Sequence, residues 1–522
     1  MADSTIVFLV LSGVVVLFVV NLVPVEIVAV GTALTLWATG VLDIDQALAG
    51  FGDPTVVYIA ALFVVSEALD ATGITTWAGQ HLVARAGDAP ARLLVSLMLL
   101  SAGLTAVISV NGAVASLLPV VVVIAVKLHR PASRLLIPLA YSAHAGSMLA
   151  LTGTPVNVIV SEAAKDATGS YFGFFEFTLA GVPLVAGTVA IIALLGDRLL
   201  PDRRAGVMPK DFSDHARTLL RQYRVAGPAN ESLFTRRSGV AEVVIPPRST
   251  MIGEPAFPGM VTDSGDLVVL AVQRQGKDLG PTKAVLAAGD ILLLQGTWDA
   301  LTTNLQDPEV LMVDSPDTVR RQTVPYGPGA RRATVIVLGM VALLATGAVP
   351  AAAAALLAAG ALVVSRVVAL DQAYRAISWT TVVLVAGMIP LSVAMTSSGA
   401  AAKLADRLVD IVGDAGPYPL LVGIFLLTAI LGQLISNTAT ALIVIPIATS
   451  AATALDVSVR SVLMSLAVAS TAALLTPVAT PANMMILGPG GYRFGDYAKL
   501  GLPVLAWFFV VSVGVVPVIW RL

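Results

Sequence analysis

One register runs through this chain twice. At an offset of 326 positions, Val110-Asn111-Gly112-Ala113 meets Ser436-Asn437-Thr438-Ala439, and Thr154-Pro155-Val156-Asn157 meets Thr480-Pro481-Ala482-Asn483. The same offset carries Asp45-Gln46-Ala47 onto Asp371-Gln372-Ala373 and Gly73 onto Gly399. Two of these matches set Asn among hydroxyl and small residues, beside Pro or Gly, in otherwise apolar sequence. Internal duplication around polar, helix-breaking segments is the sequence mark of a secondary transporter's binding site. A lone Asn near Ser or Thr in a transmembrane helix is commonly an interhelical hydrogen bond. Recurrence at a fixed offset argues against that blander reading here.

Charge placement divides the chain. Of 522 residues only 12% are charged and 57% are hydrophobic, with mean hydropathy +0.88. Residues 197–332 hold 17 of the 31 Lys and Arg and 16 of the 33 Asp and Glu. The expected organisation is therefore a first transmembrane repeat at 1–196, a soluble insert at 197–332, and a second transmembrane repeat at 333–522. The absence of Cys removes disulfides and thiolate metal sites, and four scattered His argue against zinc. A net charge of −2 gives no sign of nucleic-acid binding. The N-terminus enters an apolar run with no basic region before it, which reads as a first membrane helix rather than a signal peptide.

Apolar runs of bilayer length (~20 residues) cover about 5–21, 24–40, 55–70, 134–166 and 175–196, then about 331–347, 349–368, 380–398, 459–488 and 501–520. The stretches 92–128 and 417–455 are interrupted near their middles by the Asn motifs, as in re-entrant hairpins. Basic residues cluster at both ends of the first hairpin (Arg85, Arg92, Lys127, Arg130, Arg134), which places those ends in the cytoplasm by the positive-inside rule. The matching ends of the second hairpin lack that excess, so the two repeats are expected to be inverted and the insert cytoplasmic. The expected fold is an all-α polytopic membrane protein of two inverted repeats with re-entrant hairpins and broken helices, carrying a small cytoplasmic α+β insert. Within the insert, 242–249, 267–273 and 290–296 read as strands and 298–306 as an amphipathic helix, making a domain at about 240–315. A further helix is expected at 213–223.

The interrupted segments carry Asn, Ser and Thr but no Asp, Glu, Lys or Arg. An anion would have to be held by backbone N–H groups at helix N-termini together with hydroxyl and amide donors. A small cation such as Na⁺ would use carbonyls freed at the helix breaks and amide oxygens. Cation-coupled anion uptake meets both needs. A proton route would want buried carboxylates or His; Glu67, Asp70 and His144 have no ionisable counterparts at the offset. Asp45 and Asp371 read as helix caps. No catalytic residues, nucleotide loop or cofactor site are expected, so the chain is not read as an enzyme.

At this point a resemblance enters. The Ser-Asn-Thr tip, the Gly153-Thr154-Pro155-Val156-Asn157 segment and the run from Ala479 to Tyr497 resemble the divalent anion/sodium symporter family across both hydrophobic blocks. The insert resembles a TrkA-C (RCK-C) regulatory domain in Val244-Ile-Pro-Pro-Arg-Ser249 and Ala287-Ala-Gly-Asp-Ile-Leu-Leu-Leu-Gln-Gly296. The resemblance implies a homodimer in the cytoplasmic membrane, an elevator-type movement, Na⁺ as coupling ion, and a small di- or tricarboxylate or sulfate as substrate. It also implies a small ligand on the insert. Carried over by position, substrate would meet Asn111, Gly112, Ser436, Asn437, Thr438, Pro155 and Pro481. The cation would meet Ser109, Asn111, Gly153, Thr154, Asn437, Ala479 and Thr480. The first tip, Val110-Asn111-Gly112, lacks the hydroxyls of the pattern, and the offset argues against Ser109 supplying one by a one-residue shift. That loss puts the first Na⁺ site in doubt and would alter anion choice, since an unpaired buried oxygen costs about 1–3 kcal/mol. Two rival readings remain: a Na⁺/H⁺ antiporter of the same superfamily, and an RCK-regulated ion channel, for which no Thr-Val-Gly-Tyr-Gly-like filter is present.

Overall fold

Helices occupy both hydrophobic blocks in one repeated order. The computed structural model describes residues 2–20, 22–86, 89–127, 131–203, 233–235, 237–280, 282–305, 307–316, 319–320, 326–412 and 416–522. The helix expected at 213–223 lies outside them. The first block contains α1 (Asp3–Val20), α2 (Val25–Ala38), α3 (Ile44–Leu48), α4 (Pro54–Ala71), α5 (Ile74–Ala86), α6 (Pro90–Thr105), α7 (Val110–Lys127), α8 (Leu136–Gly146), α9 (Pro155–Thr168) and α10 (Thr178–Leu199). After the insert and its helix α11 (Trp298–Asn304), the second block repeats the order. It holds α12 (Ala330–Thr346), α13 (Ala351–Val364), α14 (Leu370–Ala376), α15 (Trp379–Ser397), α16 (Ala400–Val412), α17 (Pro417–Leu434), α18 (Asn437–Ala454), α19 (Val459–Thr471), α20 (Pro481–Gly490), α21 (Phe494–Val510) and α22 (Val516–Trp520). A π-helical turn over Val511–Val515 joins the last two. Among the described residues seven helical runs are long and apolar enough to cross a membrane, and shorter apolar helices fill the spaces between.

The local chemistry explains the breaks. Gly73 and Gly399 take φ of +70° and +72°, the left-handed turn that lets a long helix stop and a shorter amphipathic one leave at an angle. α6 and α17 both start with Pro at their first turn, where no N–H is needed. α8 and α19 are sealed on all sides: every residue from Leu136 to Gly146 and from Ser461 to Thr471 is buried, as a helix surrounded by other helices requires. Gly146 makes that possible on one side, because a Cβ there would lie 2.3 Å from the Ala102 Cα of α6.

The repeats are laced together at their centres. Tyr141 of α8 donates its hydroxyl to the carbonyls of Leu474 (2.5 Å) and Tyr497 (2.9 Å), and Tyr497 donates to Asn483 O at 2.7 Å. Arg134 and Arg460 open α8 and α19 at equivalent positions. Arg134 pairs with Asp197 and Asp202, while Arg460 binds Glu176 at 2.7 Å and stacks on Phe172.

Residues 69–77 and 210–331 form a unit separate from the helical remainder. Its sheet is antiparallel, in the order β4-β3-β6-β1-β7, from β1 (Ser238–Val244), β3 (Leu267–Arg274), β4 (Lys277–Asp278), β6 (Ile291–Thr297) and β7 (Leu311–Met312). β2 (Pro255–Ala256) and β5 (Ala284–Val285) pair apart from it. β1 starts earlier and stops sooner than the strand expected at 242–249. Pro246-Pro247 ends it, since proline has no N–H for the ladder. α11 begins at a Thr297 cap and lays Trp298, Leu301 and Leu305 over Val243, Val269, Leu292 and Leu294. Asp290 is buried beneath β3, bound by Arg274 at 2.7 Å.

Candidate functional site

The two hairpin tips, residues 106–109 and 435–436, are each closed by a serine. Ser109 Oγ accepts from Gly112 N–H (3.2 Å) and Ser109 O from Ala113 N–H (2.9 Å). Ser436 Oγ accepts from Ala439 N–H (3.3 Å) and Ser436 O from Thr440 N–H (2.9 Å). Both are therefore N-caps of the second arm, α7 and α18 respectively. This corrects the sequence register: through the hairpins the repeats align at 327, not 326. Pro90 with Pro417 and Pro119 with Pro446 share that shift. Ser109-Val110-Asn111 thus stands where Ser436-Asn437-Thr438 stands, and the first tip does carry a hydroxyl.

The broken helices show why their motif has its spacing. Thr154 caps α9, accepting from Val156 N–H at 3.4 Å, and Thr480 caps α20, accepting from Asn483 N–H at 3.3 Å. Pro155 and Pro481 take the first helical position. The Asn two residues on then reaches back across the break. Asn157 Nδ2 donates to Ser147 O and Ala150 O, both at 2.9 Å. Asn483 Nδ2 donates to Ala473 O (2.9 Å) and Thr476 O (3.0 Å). Those four carbonyls are equivalent in pairs at the 326 offset. Each Asn is a staple that satisfies two carbonyls orphaned where the helix stops. Gly153 tightens the first loop, since a Cβ there would lie 2.2 Å from Ser147 O.

Tips and loops are also tied to each other. Thr152 donates its hydroxyl to Ala106 O at 2.7 Å. Gln433 bridges to Ala472 O (3.0 Å) and accepts from Leu475 N–H (2.9 Å). Asn111 Oδ1 accepts from Ala482 N–H at 3.1 Å, so the first tip caps the second repeat's broken helix. Asn437 makes no equivalent bond: its Oδ1 is buried without a partner, as is Thr440 Oγ1. His144 Nε2 lies 3.3 Å from both Thr480 Oγ1 and Asn483 Oδ1.

Beside the first tip is a small cavity lined by Ser66, Val107, Ser109, Thr152, Pro155 and apolar residues of α4, with no charged group among its walls. Ser66 was not singled out from sequence. Its hydroxyl sits 3.3 Å from where a Cβ on Gly112 would be. Ser392 repeats it at the 326 offset, which is the signal that would have found it. Of the named site residues, Asn111, Ser436 and Pro481 are exposed, Ser109, Gly112, Thr154, Pro155, Asn437 and Thr438 are half-buried, and Gly153, Ala479 and Thr480 are buried. The acidic residues weighed for a proton route bind elsewhere: Glu67 accepts from Gln372 Nε2 (2.7 Å), and Asp70 from the Thr75 hydroxyl (3.2 Å). What the arrangement offers is uncharged: helix N-termini, hydroxyls, amides and broken-helix carbonyls around two paired tips.

A family model described as citrate transporter matches residues 15–442 and 392–521. An uncharacterized transporter, YfbS, of Escherichia coli (strain K12) is 30% identical, with 98% of each chain covered. Sodium/sulfate cotransporter 1 of Chlamydomonas reinhardtii is 27% identical over 47% of this chain and 28% of its own length. The sodium-dependent dicarboxylate transporter SdcS of Staphylococcus saprophyticus is 30% identical over 26% of each.

Proposed function

We propose, from the premise that this chain belongs to the citrate transporter family, that it couples Na⁺ to the uptake of a small di- or tricarboxylate or sulfate. It is a multi-pass membrane protein of a transporter family. The observation that carries the finer reading is the pairing of charge-free tips with charge-free helix breaks. Two helix N-termini, α9 and α20, begin at these breaks and present backbone donors suited to an anion. The adjoining amide and hydroxyl oxygens suit a monovalent cation. Anion and cation sharing one uncharged site stabilise each other, so neither is held well alone, which is the physical basis of tight coupling. The names of the sulfate and dicarboxylate relatives support the substrate class. We read the protein as a homodimer of the cytoplasmic membrane, with a moving part that carries the site across and a cytoplasmic insert of the TrkA-C type that regulates it.

The test is uptake of labelled citrate, succinate and sulfate into proteoliposomes, with an inward Na⁺ gradient or with choline instead. Na⁺-dependent accumulation of one anion is expected, and Asn437→Ala should abolish it while expression is unchanged. No uptake of any anion, with Na⁺ flux driven by a pH gradient, would make the protein an antiporter and sink the proposal.

A further inference from the structure

The two halves agree in backbone but differ in how their buried oxygens are satisfied. α7, α8 and α20 pack against one another, as do their pseudo-equivalents α18, α19 and α9. In the first group the polar atoms find protein partners: Asn111 Oδ1 takes Ala482 N–H, and His144 Nε2 meets Thr480 Oγ1 and Asn483 Oδ1. In the second group Asn157 Oδ1, Asn437 Oδ1, Thr440 Oγ1 and Ser470 Oγ are all buried with no hydrogen-bond partner. Asn157, Thr440 and Ser470 are at most 1% exposed. Ser470 occupies the position that His144 has in the first group.

The Asn157 oxygen cannot be exchanged for its nitrogen by a flip. The amide nitrogen donates to two carbonyls, and turning it would set oxygen against both. It is an acceptor by construction, and a buried acceptor without a donor is costly. Neutral oxygens with no carboxylate do not suit Ca²⁺ or Mg²⁺, which take carboxylate ligands.

We infer that α9, α18 and α19 enclose a site for one small monovalent cation, built on Asn157, Asn437, Thr440 and Ser470, and that its pseudo-equivalent among α7, α8 and α20 is closed by His144 and Asn111. This deepens the coupled-transport reading, placing one cation where the duplication alone would suggest two. A serine at 470 leaves the oxygens open; a histidine at 144 fills the matching space and supplies a donor in the ion's stead.

The test reads binding apart from transport. Purified full-length protein is melted in rising NaCl, LiCl or KCl, with choline chloride holding ionic strength constant and no anionic substrate added. Na⁺ should stabilise saturably, with a Hill coefficient of about 1, because the ion binds only the folded state. Thr440→Val and Ser470→Ala should raise the half-saturating Na⁺ by about tenfold or more, the loss of one ligand. Thr440→Ser keeps the oxygen and should keep the half-point, which separates ligation from packing. His144→Ser should steepen the Na⁺ dependence by opening the second site. No stabilisation by Na⁺ or Li⁺ beyond choline, or unchanged half-points in Thr440→Val and Ser470→Ala, overturns the site. Unaltered steepness in His144→Ser overturns its closed counterpart. Na⁺-dependent uptake with Na⁺ stabilisation indifferent to these variants would sink this inference and leave the transport reading standing. Stabilisation as expected without Na⁺-dependent uptake would do the reverse.

Discussion

Asn483→Ala isolates the staple that holds the second helix break. The side chain donates at 2.9 and 3.0 Å to the carbonyls of Ala473 and Thr476. Removing it leaves two carbonyls without their donor in an apolar interior, at about 1–3 kcal/mol each, or roughly 2–6 kcal/mol together. The void is the smaller effect: an amide-sized hole of about 30 Å³ costs about 0.7 kcal/mol at roughly 24 cal/mol per Å³. Polar satisfaction therefore decides the outcome, and the loop at 472–480 should open about 30-fold to 10⁴-fold more often. Hydrogen exchange in nanodiscs reads this directly, with the loop at 147–153 as an internal control because Asn157 still staples it. Asn483→Asp should be worse than Ala, since it turns an acceptor toward two acceptors. Equal protection of 472–480 in wild type and Asn483→Ala would refute the staple, and with it the explanation of the Thr-Pro-x-Asn spacing.

Two further outcomes follow from close contacts and charge. Gly146→Ala should destabilise by about 1–3 kcal/mol through overpacking, read as a lowered melting temperature; Ala102→Gly should not rescue it, because the nearest atoms, at 2.3 to 2.7 Å, belong to the Ala102 backbone. In the insert, burial pushes the Asp290 carboxyl up, but the Arg274 hydrogen bonds, the Ala287 N–H and the Arg274 charge outweigh it and hold it below the usual carboxylate range. A depressed folded value means stability present above the unfolded pKa of about 4 and lost as pH falls through the folded one. Protease resistance of 238–312 should drop on acidification, and Asp290→Asn should lower it at neutral pH by about 1–3 kcal/mol, with a flatter acid limb.

Long apolar helices were legible because each is a nearly unbroken run, and the paired Gly73 and Gly399 did mark paired turns. α5 and α16 were missed for the opposite reason. α16 spreads Lys403, Asp406, Arg407 and Asp410 along an amphipathic helix, so a search for bilayer-length apolar runs passes over it, whereas a 3.6-residue period would have found it. The same charges had served only as markers of sidedness. The tip register failed because Asn111 and Asn437 happen to match at the dominant offset while the hairpins carry a one-residue shift; the Pro pairs were the better guide. Asn157 and Asn483 stood out from sequence, but that their amides would span a helix break depends on a fold-back that only coordinates reveal.

Tyr141 has consequences for how the protein is made. Its hydroxyl bonds residues 333 and 356 positions later in the chain. At about 5–20 residues per second, a ribosome needs roughly 20–70 s to deliver those partners. Throughout that interval the first half sits in the membrane with its central helix unclothed and a phenol pointing at nothing. Insertion machinery or a lipid-facing chaperone has to shelter α8 until α19 to α21 emerge, and a chain truncated after the insert should be a substrate for quality-control proteolysis rather than a half-sized transporter.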